Sequence, residues 1–164
     1  NNKKVNIVTH HWSNNFLKGF DVYNWLDRWV EKNDDFTFTY IGRENGNFKN
    51  TKVVEPLFGK SLGDELGKYD VYISASRYDP GPNHVLESLA SGIPTYVHAD
   101  GGGSVEFAGL DHAYKSMSDL EKILLSKSFI QNSMVPKDWK ECMPDLINQI
   151  ELKVGYEKNK NLSF

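Results

Sequence analysis

The sequence predicts an α/β fold, a Rossmann-like parallel sheet with helices on both faces, in a single domain spanning residues 1–164. Two observations predict it. Short apolar runs alternate with segments of helical periodicity, which is the pattern of βαβ units. Four of the loops after the apolar runs are unusual in composition: His10-His11-Trp12 to Gly19, Gly42-Arg43, Arg77 to Asn83, and Asp100 to Gly103. Right-handed crossovers bring such loops to one edge of a parallel sheet, where ligands bind in folds of this kind.

The elements follow in order. Val5 to Thr9 is a short apolar strand, and Phe16 to Val30 carries Val22, Trp25, Leu26, Trp29 and Val30 at helical spacing, its aromatic residues reading as core. Phe36 to Gly42 alternates aromatic residues with Thr, as a strand does, and a polar loop through Asn50 leads to a short strand at Val53-Val54. A helix from Leu62 to Tyr69 precedes the strand Val71 to Ala75. His84 to Ser91 reads as a helix closed by Gly92, and Pro94 to His98 as the next strand. Gly101-Gly102-Gly103 reads as a turn, with the next helix at Leu120 to Ser126. The last helix runs from Trp139 to about Leu152, with Trp139, Met143, Leu146, Ile147 and Ile150 on one stripe. Residues 153–164, polar from Glu157 to Asn161, are expected to fray.

Composition narrows the function. A formal net charge of −3 and the absence of any Lys/Arg run give no general attraction to nucleic acid. Cys142 is the only cysteine, so the chain has no internal disulfide and no thiolate metal cluster, and the reducing cytosol is its expected home. No apolar run approaches the roughly 20 residues of a bilayer span, and Asn1-Asn2-Lys3-Lys4 lacks the apolar core of a signal peptide. A cytoplasmic location is expected, with membrane contact only through another part of a larger protein.

Asp79 and Glu87, eight positions apart, carry the most information. The Pro/Gly turn between them runs into an apolar helix, so one carboxylate stands before the helix and the other a turn inside it, and both can face one crevice. Between them lie the backbone N–H groups of a helix start, where a phosphate is well placed. Two hydroxyl-binding carboxylates around an anion seat make the layout a nucleotide sugar needs. His10 and His11, at a strand end, are either structural or turned to the sugar.

The segment Ser76-Arg77-Tyr78-Asp79-Pro80-Gly81-Pro82-Asn83-His84-Val85-Leu86-Glu87-Ser88-Leu89-Ala90-Ser91-Gly92-Ile93-Pro94, followed by Gly102-Gly103-Ser104-Val105-Glu106, resembles the donor-binding half of retaining glycosyltransferases with the GT-B fold. These are the group 1, family 4-like enzymes, which include glycogen synthases, sucrose synthases and bacterial mannosyl- and glucosyltransferases, and which share an acidic-x7-Glu signature. The resemblance covers nearly all of residues 5–150. It implies one half of a GT-B fold and donor-binding roles for named residues. Glu87 would accept from the two ribose hydroxyls, and Asp79, at the sugar ring, from the sugar hydroxyls. Backbone N–H groups around Gly81, Asn83 and His84 would meet the sugar or its phosphate. Lys18-Gly19 resembles the Lys-Gly at the start of the family's first helix, where the ammonium neutralises the diphosphate leaving group, so Asp79 and Lys18 are the catalytic candidates. Arg43 falls near the expected base pocket. Gly102, Gly103 and Glu106 would order the loop after the fifth strand.

Three departures from the family pattern stand out. Asp79 is one methylene shorter than the usual glutamate, Pro82 stands where glycine is common, and Trp12 and Ser13 hold the places of the usual basic residue before Lys-Gly. On this resemblance the sequence is expected to correspond to the donor half from its first strand on, without the acceptor-binding N-terminal half. The resemblance therefore implies transfer of a hexose from a UDP- or GDP-sugar to a glycan or lipid acceptor, with retention, as in polysaccharide biosynthesis. No metal and no cofactor beyond the nucleotide-sugar substrate are implied, since no Asp-x-Asp pair is present. The half-enzyme would need an acceptor domain, in the same or a separate chain, and would be inactive alone. Two rival readings use the same fold: a nucleotide-sugar epimerase or hydrolase half, and a noncatalytic nucleotide-sugar binding or partner module.

Overall fold

The computed structural model describes residues 4–45 and 47–160, the last six of these as backbone only. Six parallel strands form one sheet in the order β3-β2-β1-β4-β5-β6, where β1 is Val5–His11, β2 Phe36–Gly42, β3 Lys52–Val54, β4 Val71–Ser74, β5 Thr95–His98 and β6 Ala113–Tyr114. The helices are α1 (Phe20–Glu31), α2 (Gly59–Leu66), α3 (Asn83–Ala90), α4 (Gly103–Ala108), α5 (Met117–Ser126) and α6 (Trp139–Lys160). The strand order reverses between β1 and β4. That reversal opens a crevice at the carboxyl ends of these two strands.

Both faces of the sheet are covered, which is why its central strands read as unbroken apolar runs. Ile7 and Val8, adjacent on β1 and both fully buried, belong to opposite layers. Ile7 packs in the larger layer with Tyr23, Leu26, Trp29 and Val30 of α1 and Leu120 and Leu124 of α5. Val8 packs in the other layer with Leu62 and Leu66 of α2, and with Ile41, Tyr72 and Ile93. Each of these leucines stabilises the fold by about 1.5–3 kcal/mol on burial. The register pairs His10 with Ile41 and His11 with Gly42, so both histidines reach the ligand-binding edge.

The helix expected over Phe16 to Val30 is broken. A short 3-10 turn at Phe16–Lys18, capped by Asn15, ends at Gly19, and α1 starts afresh after it. The glycine segment expected to be only a turn leads directly into α4 at Gly103. Strand β6 has two residues, too few to show a period of two in sequence. Helix α5 starts three residues before the expected Leu120 because the Ser116 hydroxyl accepts from the Asp119 N–H, a start signal passed over in the sequence. Helix α6 continues past Leu152 to Lys160, since Gly155 alone costs a helix only about 1 kcal/mol. Of the tail expected to fray, residues 161–164 lie outside the described residues, as do residues 1–3. Among the described residues no helix is long and apolar enough to cross a membrane.

Candidate functional site

The loops that converge on the crevice are pinned to one another by backbone contacts. Gly19 has φ +85°, and a Cβ there would fall 2.2 Å from the Ala75 carbonyl oxygen, so only glycine lets the β1–α1 loop press against the end of β4. The Arg77 N–H donates to the Leu17 carbonyl at 2.8 Å, and the Arg77 guanidinium forks onto Asp21 at 2.8 and 2.7 Å. This lacing sets Lys18 beside Asp79, with Nζ 2.8 Å from Oδ2.

Asp79 is held from the other side by the β5–α4 loop. The Gly103 N–H donates to the Asp79 carbonyl at 2.9 Å, and Gly102, at φ +63°, would drive a Cβ to 2.9 Å from that same oxygen. The neighbouring Tyr78 adopts φ +54°, an uncommon conformation for a residue with a side chain. The Asp79 carboxylate also accepts from the Gly81 N–H at 3.2 Å. Burial works to raise its pKa, but the Lys18 ammonium and the Gly81 N–H outweigh burial and hold it below the usual carboxylate value. Glu106 is exposed on α4, and the contacts that order this loop run through the glycine backbone instead.

Asn83 is exposed at the start of α3, and its N–H is taken by the Gly81 carbonyl at 2.9 Å. The Val85 and Leu86 N–H groups both turn back to the Pro82 carbonyl. That leaves the His84 N–H as the first-turn donor without such a partner among the described residues. The anion seat expected there is narrower than a bare helix start.

Three buried histidines line the floor of the crevice. His84 Nε2 lies 2.8 Å from Ser74 Oγ, while its Nδ1 is 4.0 Å from Asp79 Oδ2. Burial, and then the fields of His10 and Lys18, lower the His84 pKa to about 3 against the opposing pull of Asp79. The His11 ring stands 4.6 Å from that of His84, centroid to centroid. Tyr23 OH accepts from Thr9 Oγ1 and the Ala75 N–H, so its own proton goes to His11 Nε2 at 2.6 Å. Burial first, then the neighbouring histidines and Lys18, hold His11 well below the usual histidine value. His10 turns away from Asp79 and places Nε2 2.9 Å from Glu87 Oε2. His84 thus lies beside Asp79 and His10 beside Glu87, with the two rings 6.3 Å apart, centroid to centroid.

Glu87 is half-exposed on α3 and borders a cleft of about 400 Å³ shared with Gly59, Leu62, Gly63, Ala90 and Ser91. Arg43 is exposed just past β2, with its N–H on the His11 carbonyl at 3.2 Å. A larger hollow of about 740 Å³ lies off this edge, between α1 and residues 47–50, where the Asp27 carboxylate is fully engaged by Lys49, Asn50 and Thr51. Among the described residues no three His, Cys, Asp or Glu side chains gather as metal ligands do. Tyr23, Ser74 and the Asp21–Arg77 fork are parts of this edge that no spacing in the sequence pointed to. Their roles come from contacts between segments some 10 to 56 positions apart.

No family model matches this sequence, and no curated protein does. Solved structures match the fold. TarM superposes with a TM-score of 0.61 at 16% identity, over 77% of this chain and 28% of its own. The catalytic domain of cholesterol-alpha-glucosyltransferase from Helicobacter pylori gives 0.60 at 14% identity, over 76% of this chain and 91% of that chain. The pneumococcal O-GlcNAc transferase GtfA, solved in complex with UDP and GlcNAc, gives 0.54 at 15% identity, over 76% and 28%. The chain has the α/β Rossmann-like architecture of one half of the GT-B glycosyltransferases, and it spans only 28% of the TarM and GtfA chains.

Proposed function

We propose that this chain is the donor-binding half of a glycosyltransferase that transfers a hexose from a UDP- or GDP-sugar to a glycan or lipid acceptor with retained anomeric configuration. The observation that carries the reading is the Lys18–Asp79 contact of 2.8 Å at the mouth of α3, the helix that carries Glu87. Glu87 accepts from the ribose hydroxyls. Asp79 accepts from a sugar hydroxyl, and the His84 N–H donates to the sugar or the phosphate beside it. An ammonium has three donors, so Lys18 can hold Asp79 with one and meet the leaving diphosphate with the others. These groups take the leaving-group charge without a metal. The UDP in the GtfA structure supports a nucleotide diphosphate as ligand. The short share of the longer neighbours that the chain spans supports an acceptor domain supplied elsewhere, in this chain's own continuation or in a partner. Alone, the domain binds donor and transfers little.

A thermal-shift panel of UDP, GDP, ADP and their sugars on the full-length protein tests the reading, because a ligand that binds the native state raises its melting temperature. A shift with UDP or GDP that disappears in Glu87→Ala is expected. No shift with any nucleotide at millimolar concentration would leave a noncatalytic module as the better account.

A further inference from the structure

Glu87 is not the free carboxylate that its motif implies. Its Oε2 is held at 2.9 Å by Nε2 of His10, a ring only 3% exposed at the penultimate residue of β1. An ionised carboxylate only accepts, so Nε2 donates its N–H to Glu87. Nδ1 is buried and has no hydrogen-bond partner among the described residues. A phenylalanine would fill this position without an orphaned polar atom. The histidine is therefore costly as packing, and its one satisfied polar contact is the bond to Glu87.

The ring is fixed from behind. Tyr72 OH lies 3.3 Å from both the N–H and the carbonyl oxygen of His10, and the Tyr72 ring meets the His10 ring edge-on at 5.5 Å. On the far side the His84 ring stands 6.3 Å away, centroid to centroid. Held this way, the Nε2–H pins one oxygen of a half-exposed side chain that would otherwise turn freely about its last bond. Oε1 and the outer lone pair of Oε2 are left to the cleft. That is a fixed pair of acceptors for two adjacent hydroxyls.

We infer that His10 is a positioning residue for ribose recognition: its Nε2–H fixes the Glu87 carboxylate so that it accepts from the 2′- and 3′-hydroxyls together. This inference rests on the proposed role of Glu87 and adds what makes that role selective. A site set for two hydroxyls rejects a ribose lacking one, because an acceptor is then left unpaired. A Glu87 free to turn would adapt to one hydroxyl and discriminate less.

The test compares UDP and GDP with their 2′-deoxy counterparts by calorimetry on the full-length protein and on His10→Phe, His10→Gln and Glu87→Ala. His10→Phe should lose about tenfold in affinity for the ribonucleotide while barely changing that for the 2′-deoxy form, so the preference collapses. His10→Gln, whose amide can still donate to Glu87, should restore most of the preference, which a purely structural role for His10 would not do. If His10→Phe fails to fold, His10→Leu, which likewise cannot donate to Glu87, takes its place with the same expectation. A preference unchanged in His10→Phe, or in both variants, overturns the inference while a strong loss in Glu87→Ala leaves the donor-site reading standing. If Glu87→Ala binds like the parent, the reading of the site falls and the inference with it.

Discussion

Gly19→Ala tests the geometry on which the whole site depends. The new Cβ would lie 2.2 Å from the Ala75 carbonyl oxygen and 2.4 Å from the Ala75 Cβ, well inside contact distance, and both belong to the residue that directly follows the central strand β4. Backbone, rather than a flexible side-chain tip, must move. The substitution also forces a residue with a side chain to φ +85°, which costs about 1–2 kcal/mol by itself. Relief of the overlap adds about 1–3 kcal/mol, the usual cost of overpacking. The sum is about 2–5 kcal/mol, a drop in Tm on the order of 10 °C for a chain of this size. Gly63→Ala is the matched control. Its Cβ would meet nothing nearer than Ser91 Oγ at 3.9 Å in a helix interior, so it should stabilise, by up to about 1 kcal/mol. Urea midpoints and thermal melts of both variants read the difference. If Gly19→Ala melts with the parent protein, the β1–α1 loop does not press on β4 and the placement of Lys18 loses its basis.

Three further predictions use other parts of the molecule. His84, at about 3, and His11, also lowered, refuse protons that the unfolded chain takes up near 6.5. The unfolded state then binds more protons below about pH 6.5, so stability falls with pH by about 1.4 kcal/mol per unit for each group. Burial lowers His98 as well, so the window from pH 6.5 to 5 reports these three histidines together, because the lowered carboxylates Asp21, Asp27 and Asp79 lose their contribution only at lower pH; urea midpoints that stay level there would contradict burial of the rings as neutral groups. Asp27→Ala removes the acceptor for the N–H groups of Lys49, Asn50 and Thr51 and for the Thr51 hydroxyl, and should destabilise by about 3 kcal/mol in urea titration. Lys18→Met should let the Asp79 carboxyl titrate at a higher pH by NMR and, on the proposed reading, cut transfer about a hundredfold; an unmoved Asp79 titration would mean that the ammonium does not hold it.

The alternation of Val5 to Thr9, Val71 to Ala75 and Pro94 to His98 with periodic helices was enough to read the parallel sheet, because strands buried on both faces must be apolar throughout. The same local reasoning put Asp79 and Glu87 on either side of a helix start, since a Pro/Gly turn and an eight-residue spacing are properties of adjacent chain. It did not reach α4 or β6. One follows a glycine run that reads as loop, and the other is two residues long.

The partners of the site residues belong to tertiary structure. Lys18 meets Asp79 across 61 positions, His10 meets Glu87 across 77, and Tyr23 gathers Thr9 and His11 from β1 and Ala75 from just past β4. Hydropathy and turn chemistry act over a few residues and carry no information about which distant side chain fills a hydrogen bond. That is decided when the sheet order brings β1 beside β4 and stands α3 over them. The acidic pair could be found in the chain alone, but its two carboxylates received different partners, a lysine for one and a buried histidine for the other, only on folding.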